Sequence, residues 1–151
     1  MKPAALIRVA EATEQTALEA LQRLASLANP QDRAALLANP DAIEVPIEQL
    51  IHGQVFVAEM AGVMVGFGSV IPRDDGGAQL DALFVLPSMW RRGIGRQLLD
   101  YAVETARRQP SRLMHVIGNP HAEGFYAACG FQTVGHEKTR FGTGIVMQRR
   151  V

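Results

Sequence analysis

Three arginines and two glycines fall within six consecutive positions, Arg91, Arg92, Gly93, Ile94, Gly95 and Arg96, at the point where a strand-like run gives way to a helical one. Backbone N–H groups at a helix start lack an acceptor inside the helix and point outward, so such a place attracts an anion. Glycine removes the Cβ that would hold oxygen atoms away, and guanidinium groups add charge-assisted hydrogen bonds. In chemical terms the segment is a cradle for a diphosphate. It is not a P-loop, because the Lys-Ser/Thr ending is missing, and not a full dinucleotide fingerprint, because Leu98 stands where the third glycine would be. On its own, Gly-Ile-Gly between arginines reads equally well as a capped helix with a solvated basic face.

Other reactive side chains are sparse. His52, His115, His121 and His136 have no close ligand spacing, so no metal site is expected. Cys129 is the one cysteine, which excludes an internal disulfide and a Cys-based zinc site, and it is expected to pack as a small apolar residue beside Gly130.

The elements that must position the cradle can be read from periodicity. Leu6 to Val9 alternates as a strand, Thr13-Glu14 starts a helix with Leu18, Leu21, Leu24 and Leu27 on one side, and Asn29-Pro30 ends it. Short helices follow from Gln31 to Ala38 and from Ile47 to His52. Val55–Ala58 and Val63–Val70 flank an Ala61-Gly62 turn, and Leu80–Val85 follows the turn at Asp74–Gly77, giving a three-stranded antiparallel meander. Ile94, Leu98, Ala102 and Ala106 then recur at helical spacing from Gly93 to about Arg108. Leu113–Ile117 is a strand, and a strand–helix–strand connection in one sheet is expected to be parallel. Asn119-Pro120 opens the last helix and Gly130 closes it in the left-handed conformation. Two more strands, Phe131–Val134 and Gly144–Gln148, are joined by a polar loop containing His136 to Phe141. No repeat or linker interrupts the chain, so a single domain over 1–151 is expected.

Composition bounds the partners. The 151 residues carry 15 Lys+Arg and 15 Asp+Glu, yet Met1 to Asp81 holds five of the former against eleven of the latter, net −6, and the remainder is net +6. Six arginines between Arg91 and Arg112 make a local cluster suited to a small phosphorylated ligand. DNA calls for a broader basic surface, and the cluster lacks interleaved aromatics, so nucleic acid is not an expected partner. The most apolar stretch, Val55 to Ile71, is broken by Glu59 and three glycines and makes a poor membrane span; a cytoplasmic protein without membrane attachment is expected.

Two motifs in order resolve the ambiguity at the cradle. Leu83-Phe84-Val85-Leu86-Pro87 followed by Trp90-Arg91-Arg92-Gly93-Ile94-Gly95-Arg96-Gln97-Leu98-Leu99 resembles the Arg/Gln-x-x-Gly-x-Gly/Ala signature of the GCN5-related N-acetyltransferase superfamily. Asn119-Pro120-His121-Ala122-Glu123-Gly124-Phe125-Tyr126, ending in Gly130-Phe131, resembles that family's downstream motif. The resemblance is strong from Leu80 to Phe131 and weaker before Gln54. It departs from the pattern at the first signature position, where Trp90 replaces Arg or Gln.

The resemblance implies a mixed α/β fold: a mostly antiparallel sheet with a splayed parallel strand pair, flanked by helices. It implies acetyl-coenzyme A as cosubstrate, with Leu83, Phe84 and Val85 on the pantetheine and acetyl carbonyl, and Arg91, Arg92, Gly93, Ile94, Gly95 and Arg96 on the diphosphate. Asn119, Ala122 and Phe125 would line the pantetheine channel. Attack of a neutral amine on a thioester needs a base, an oxyanion donor and an acid for the departing thiolate. The Val85 N–H is the expected oxyanion donor and Tyr126 the expected acid. Asp81 is the first candidate base and Glu59 the second, with a water chain as a further route. The acceptor is expected to be a small-molecule or peptide amine, chosen by Ala28–Gly53 and Gly135–Gly144, and the family often forms homodimers. A non-catalytic acyl-coenzyme A sensor sharing the cradle is the competing reading; intact Asn119 and Tyr126 favour the enzyme.

Overall fold

A computed structural model of the chain describes residues 5–140 and 142–151. Hydrogen bonding orders seven strands β1-β2-β3-β4-β5-β7-β6 in one sheet. The strands are β1 (Leu6–Val9), β2 (Val55–Met60), β3 (Val63–Pro72), β4 (Ala78–Val85), β5 (Leu113–Gly118), β6 (Gln132–Thr139) and β7 (Gly142–Arg150). The helices are α1 (Gln15–Leu27), α2 (Pro30–Ala38), α3 (Ile47–Ile51), α4 (Ile94–Ala106) and α5 (Glu123–Ala128). Residues 1–69 with 82–99 form one compact unit, and residues 70–81 with 100–151 form a second. No helix among the described residues is long and apolar enough to cross a membrane.

In the first unit β1 pairs antiparallel with β2, and β2 with β3 through the Ala61-Gly62 turn. Both turn residues are left-handed (φ 52° and 77°), the geometry whose twist matches a two-residue hairpin. Leu18, Leu21, Val45, Leu50, Val55, Val57 and Phe67 form the core, with Ala82, Phe84 and Leu86 packed against it. Leu24, expected on the buried face of α1, is 57% exposed, and Ala25 is buried instead. Steps of three residues rotate about 300° and drift off the face, whereas seven residues return to within about 20° of it. Asn29 does more than end α1. Its side chain accepts from the Gln31 N–H, and Pro30 takes the first position of α2.

The second unit holds the parallel pair. Ala78, Gln79 and Leu80 of β4 lie beside Met114, His115 and Val116 of β5. β5 pairs antiparallel with β7, and β7 with β6. The polar loop expected from His136 onward is strand as far as Thr139, so the connection is much tighter than expected; Phe141 lies outside the described residues. β6 is an edge strand with nearly all its side chains exposed, and such a strand needs no apolar alternation. Met114, Val116, Ile145 and Met147 are buried, as are Ala102, Val103 and Ala106 of α4.

Candidate functional site

The cradle lies wholly in the first unit. β4 ends at Val85, whose successor Leu86 donates its N–H to the Val65 carbonyl of β3 at 2.9 Å. A 3-10 turn over Pro87–Met89 reverses the chain and brings Trp90 back, where its indole Nε1–H donates to the Val85 carbonyl at 2.8 Å. Arg91 is left-handed at φ 63° and Gly93 at φ 80°. Alternation of this kind gathers successive N–H groups into a concavity that suits an anion. The first hydrogen bond of α4 runs from the Gln97 N–H to the Gly93 carbonyl at 3.0 Å. The amides of Ile94, Gly95 and Arg96 therefore precede the helical ladder. A Cβ on Gly93 would meet nothing within 4 Å, so the left-handed backbone, and no crowding from the protein itself, is what asks for glycine there.

The side chains in this segment divide sharply. Ile94 is buried, so it can offer a ligand only its backbone; Phe84 is half-buried, its ring tilted against Phe67 of the core with centroids 5.5 Å apart. Arg91, Arg92 and Arg96 are exposed. Gly66 of β3 lets β4 come close: a Cβ there would stand 2.9 Å from the Phe84 carbonyl oxygen and 3.1 Å from Leu98.

The downstream motif lies in the second unit. Asn119 precedes a 3-10 turn over Pro120–Ala122, and its side chain does not cap that turn. The α-helix that follows is only Glu123–Ala128, closed by Gly130 at φ 91° with Phe131 N–H bonded back to the Tyr126 carbonyl at 3.0 Å. Tyr126 is buried, edge-on to Phe125 at 5.2 Å and to Phe131 at 5.6 Å, while Phe125 is the ring of the pair that reaches the surface. The Tyr126 hydroxyl makes no hydrogen bond among the described residues. Burial, with a smaller contribution from Cys129, pushes its pKa up to about 12, so it stays protonated at neutral pH. Gly118 was not singled out in the sequence, yet its missing side chain makes the room: a Cβ would lie 3.1 Å from Tyr126 Cε2.

The candidate bases have different surroundings. Glu59 is tied to Arg8, which donates to it from Nε at 2.7 Å and bridges to Glu14 at 2.8 Å. The Arg8 guanidinium, the largest influence, holds the Glu14 carboxyl below the usual range. Asp81 is exposed on β4.

Among the described residues no group of three His, Cys, Asp or Glu could hold a metal. The second unit also contains a cavity of about 430 Å³ lined by Arg73, Gln79, His115, Ile117, His136, Glu137 and Val146. Burial first, and then the positive charge of Arg73, lowers the pKa of His115 despite Asp75 at 4.0 Å.

A family model described as acetyltransferase (GNAT) domain matches residues 52–133. The peptidyl-lysine N-acetyltransferase YiaC of Escherichia coli K12 is 37% identical over 86 residues, 56% of this chain and 54% of that protein, so the chain spans about half the length of that relative. A GCN5-related N-acetyltransferase from Rhodopseudomonas palustris superposes with a TM-score of 0.82 at 19% identity, covering 100% of this chain and 98% of the other. The PaiA N-acetyltransferase of Thermoplasma acidophilum, solved in complex with coenzyme A, gives 0.77 at 16% identity, covering 99% and 100%. At these identities the two structures are likenesses of fold.

Proposed function

The chain belongs to the acetyltransferase (GNAT) domain family, and from that premise we propose that it transfers the acetyl group of acetyl-coenzyme A to a primary amine by direct attack on the thioester. The backbone of Arg91–Arg96 and the exposed arginines would take the diphosphate, and the Val85 N–H would face the developing oxyanion. Asn119, free of any capping duty, would reach the pantetheine. The observation that carries the enzymatic reading is the Tyr126 hydroxyl, which is held protonated on a buried ring and commits its hydrogen to no described residue. A thiolate leaving the tetrahedral intermediate is a fitting acceptor for it.

The base acts at a distance. Asp81 precedes Val85 by four strand residues, roughly 13 Å at about 3.3 Å per residue, so it would draw the amine's proton through water. Glu59, held by Arg8, is better suited to anchoring β1 on β2. A pH–rate profile of Asp81→Asn that keeps the acidic limb of the wild type removes Asp81 from this role.

The acceptor would be a small-molecule or peptide amine. Glu137, in the segment to which the resemblance assigns acceptor choice, lines the 430 Å³ cavity and offers a counter-charge to an ammonium group. Melting in the presence of coenzyme A tests the cofactor: at ~100 times Kd the fold gains about 2.7 kcal/mol. Thiol release over a panel of amines then tests transfer. Stabilisation without thiol release from any amine would favour the sensor reading.

A further inference from the structure

The geometry points to Trp90 as a positioning residue for the coenzyme, acting by latching the end of β4 to the turn that opens α4. The inference rests on the acetyl-coenzyme A reading above. The peptide unit between Val85 and Leu86 is held at both polar ends, since its carbonyl accepts from the Trp90 indole at 2.8 Å and its N–H donates to Val65 at 2.9 Å. The turn between is closed by Met89 N–H to Leu86 O at 2.8 Å and Trp90 N–H to Pro87 O at 3.2 Å. Directly after Trp90 the chain enters the left-handed conformation at Arg91, which an L side chain rarely adopts and which neighbouring contacts must hold.

Trp90 is 48% exposed, so core packing is not its task. Its indole carries a donor and no acceptor, and that donor is committed to the Val85 carbonyl, a bond that a glutamine side-chain N–H could also supply. The two segments it ties together would meet different parts of one ligand: Val85 the acyl group, Arg91–Arg96 the diphosphate. A latch between them sets the spacing that a single coenzyme must match, and lowers what binding must spend in ordering the turn.

The test compares wild type, Trp90→Phe and Trp90→Gln. Amide exchange is followed at Leu86 and Met89 in the free protein, and coenzyme A affinity is measured by calorimetry. Because Trp90 is the only tryptophan, its emission in the wild type reports the same binding event independently. Trp90→Phe is expected to speed exchange at both amides and to weaken coenzyme A about 2- to 13-fold, the range for one net hydrogen bond. Its melting temperature and its KM for the amine should stay near wild type, and Trp90→Gln should restore slow exchange and affinity. Unchanged exchange in Trp90→Phe overturns the latch. Faster exchange with full coenzyme affinity overturns the positioning role, and so does a loss of melting temperature on the scale of a core variant. A wild type that binds coenzyme A but releases no thiol refutes the transferase reading while the affinity comparison still decides the role of Trp90. A wild type that does not bind coenzyme A refutes both.

Discussion

Replacing Tyr126 by Phe removes one oxygen and leaves the ring where it is. The ring edges on Phe125 and Phe131 and the room left by Gly118 are retained, and no hydrogen bond to a described residue is lost. Folding stability should therefore change by less than about 0.5 kcal/mol, as for a substitution that touches no packing or polar network. Turnover should respond differently. A hydrogen bond to a charged group contributes about 1.5–3 kcal/mol, so loss of the donor to a departing thiolate lowers kcat roughly 13- to 160-fold. Complete proton transfer is disfavoured, because a phenol near 12 facing an alkyl thiol near 8.5 runs about 3.5 pKa units, or ~5 kcal/mol, uphill. On the proposed reading Tyr126 would donate a hydrogen bond and keep its proton, and the thiolate would collect one later. The thioester sulfur of the ground state is a poor acceptor, so coenzyme affinity should be unaffected. Single-turnover thiol release at saturating amine, with calorimetry for coenzyme A, measures both quantities. Unchanged kcat removes Tyr126 from the mechanism. A loss beyond about 1,000-fold with stability intact would show that the proton is transferred and that the donor-only reasoning is wrong.

Gly118→Ala should push the Tyr126 ring by a few tenths of an ångström, costing about 1–3 kcal/mol of stability through overpacking and lowering kcat as well. If that loss acts through the hydroxyl, Gly118→Ala combined with Tyr126→Phe is no slower than the worse single variant, and additive losses would sink the link. The Ser69 hydroxyl is buried on β3 without a partner among the described residues, so Ser69→Ala should be neutral or stabilising by up to about 1 kcal/mol. A fall of more than that amount in chemical denaturation would expose a hidden partner. His115 holds a depressed pKa in the folded state, so the unfolded chain binds the proton more readily. Stability is full above the unfolded value near 6.5 and declines as pH falls toward the lower folded value. Urea unfolding across that window should lose the His115 part of its slope in His115→Gln, and an identical slope in both proteins would contradict the burial argument.

Periodicity carried those parts of the fold that bury one face. Ile94, Leu98, Ala102 and Ala106 are all buried at helical spacing. It failed where burial was absent, because β6 is an edge strand that needs no apolar pattern, and its polar residues from His136 read as loop. The left-handed turn at Gly93 and the exposed arginines around it were legible because glycine and arginine types reveal backbone freedom and charge. Trp90 was not: its bond to Val85 exists only because the Pro87–Met89 turn reverses the chain, and no spacing rule records that. Gly118 was equally silent, since the side chain it must avoid stands eight residues later on another element.

How far each predicted residue is committed to the fold decides how its role can be observed. Ile94 sinks its side chain into the core, so alanine there would report cavity formation, and a lost activity says nothing about contact with a ligand; half-buried Phe84 packs against the core, and alanine there would report both. Glu59 is committed to Arg8. Asn119 and Tyr126 differ, because neither side chain caps the helical turn it belongs to. The same sorting applies to the acidic first half of the chain. Glu14 and Glu59 are held by Arg8, and Asp75 by Arg73 at 3.0 Å, so these carboxylates are in part internal counter-ions. A cationic acceptor would therefore be drawn less by the summed charge of that half than by individual carboxylates beside a cavity. Glu137, which comes from the basic half, is the one that lines it.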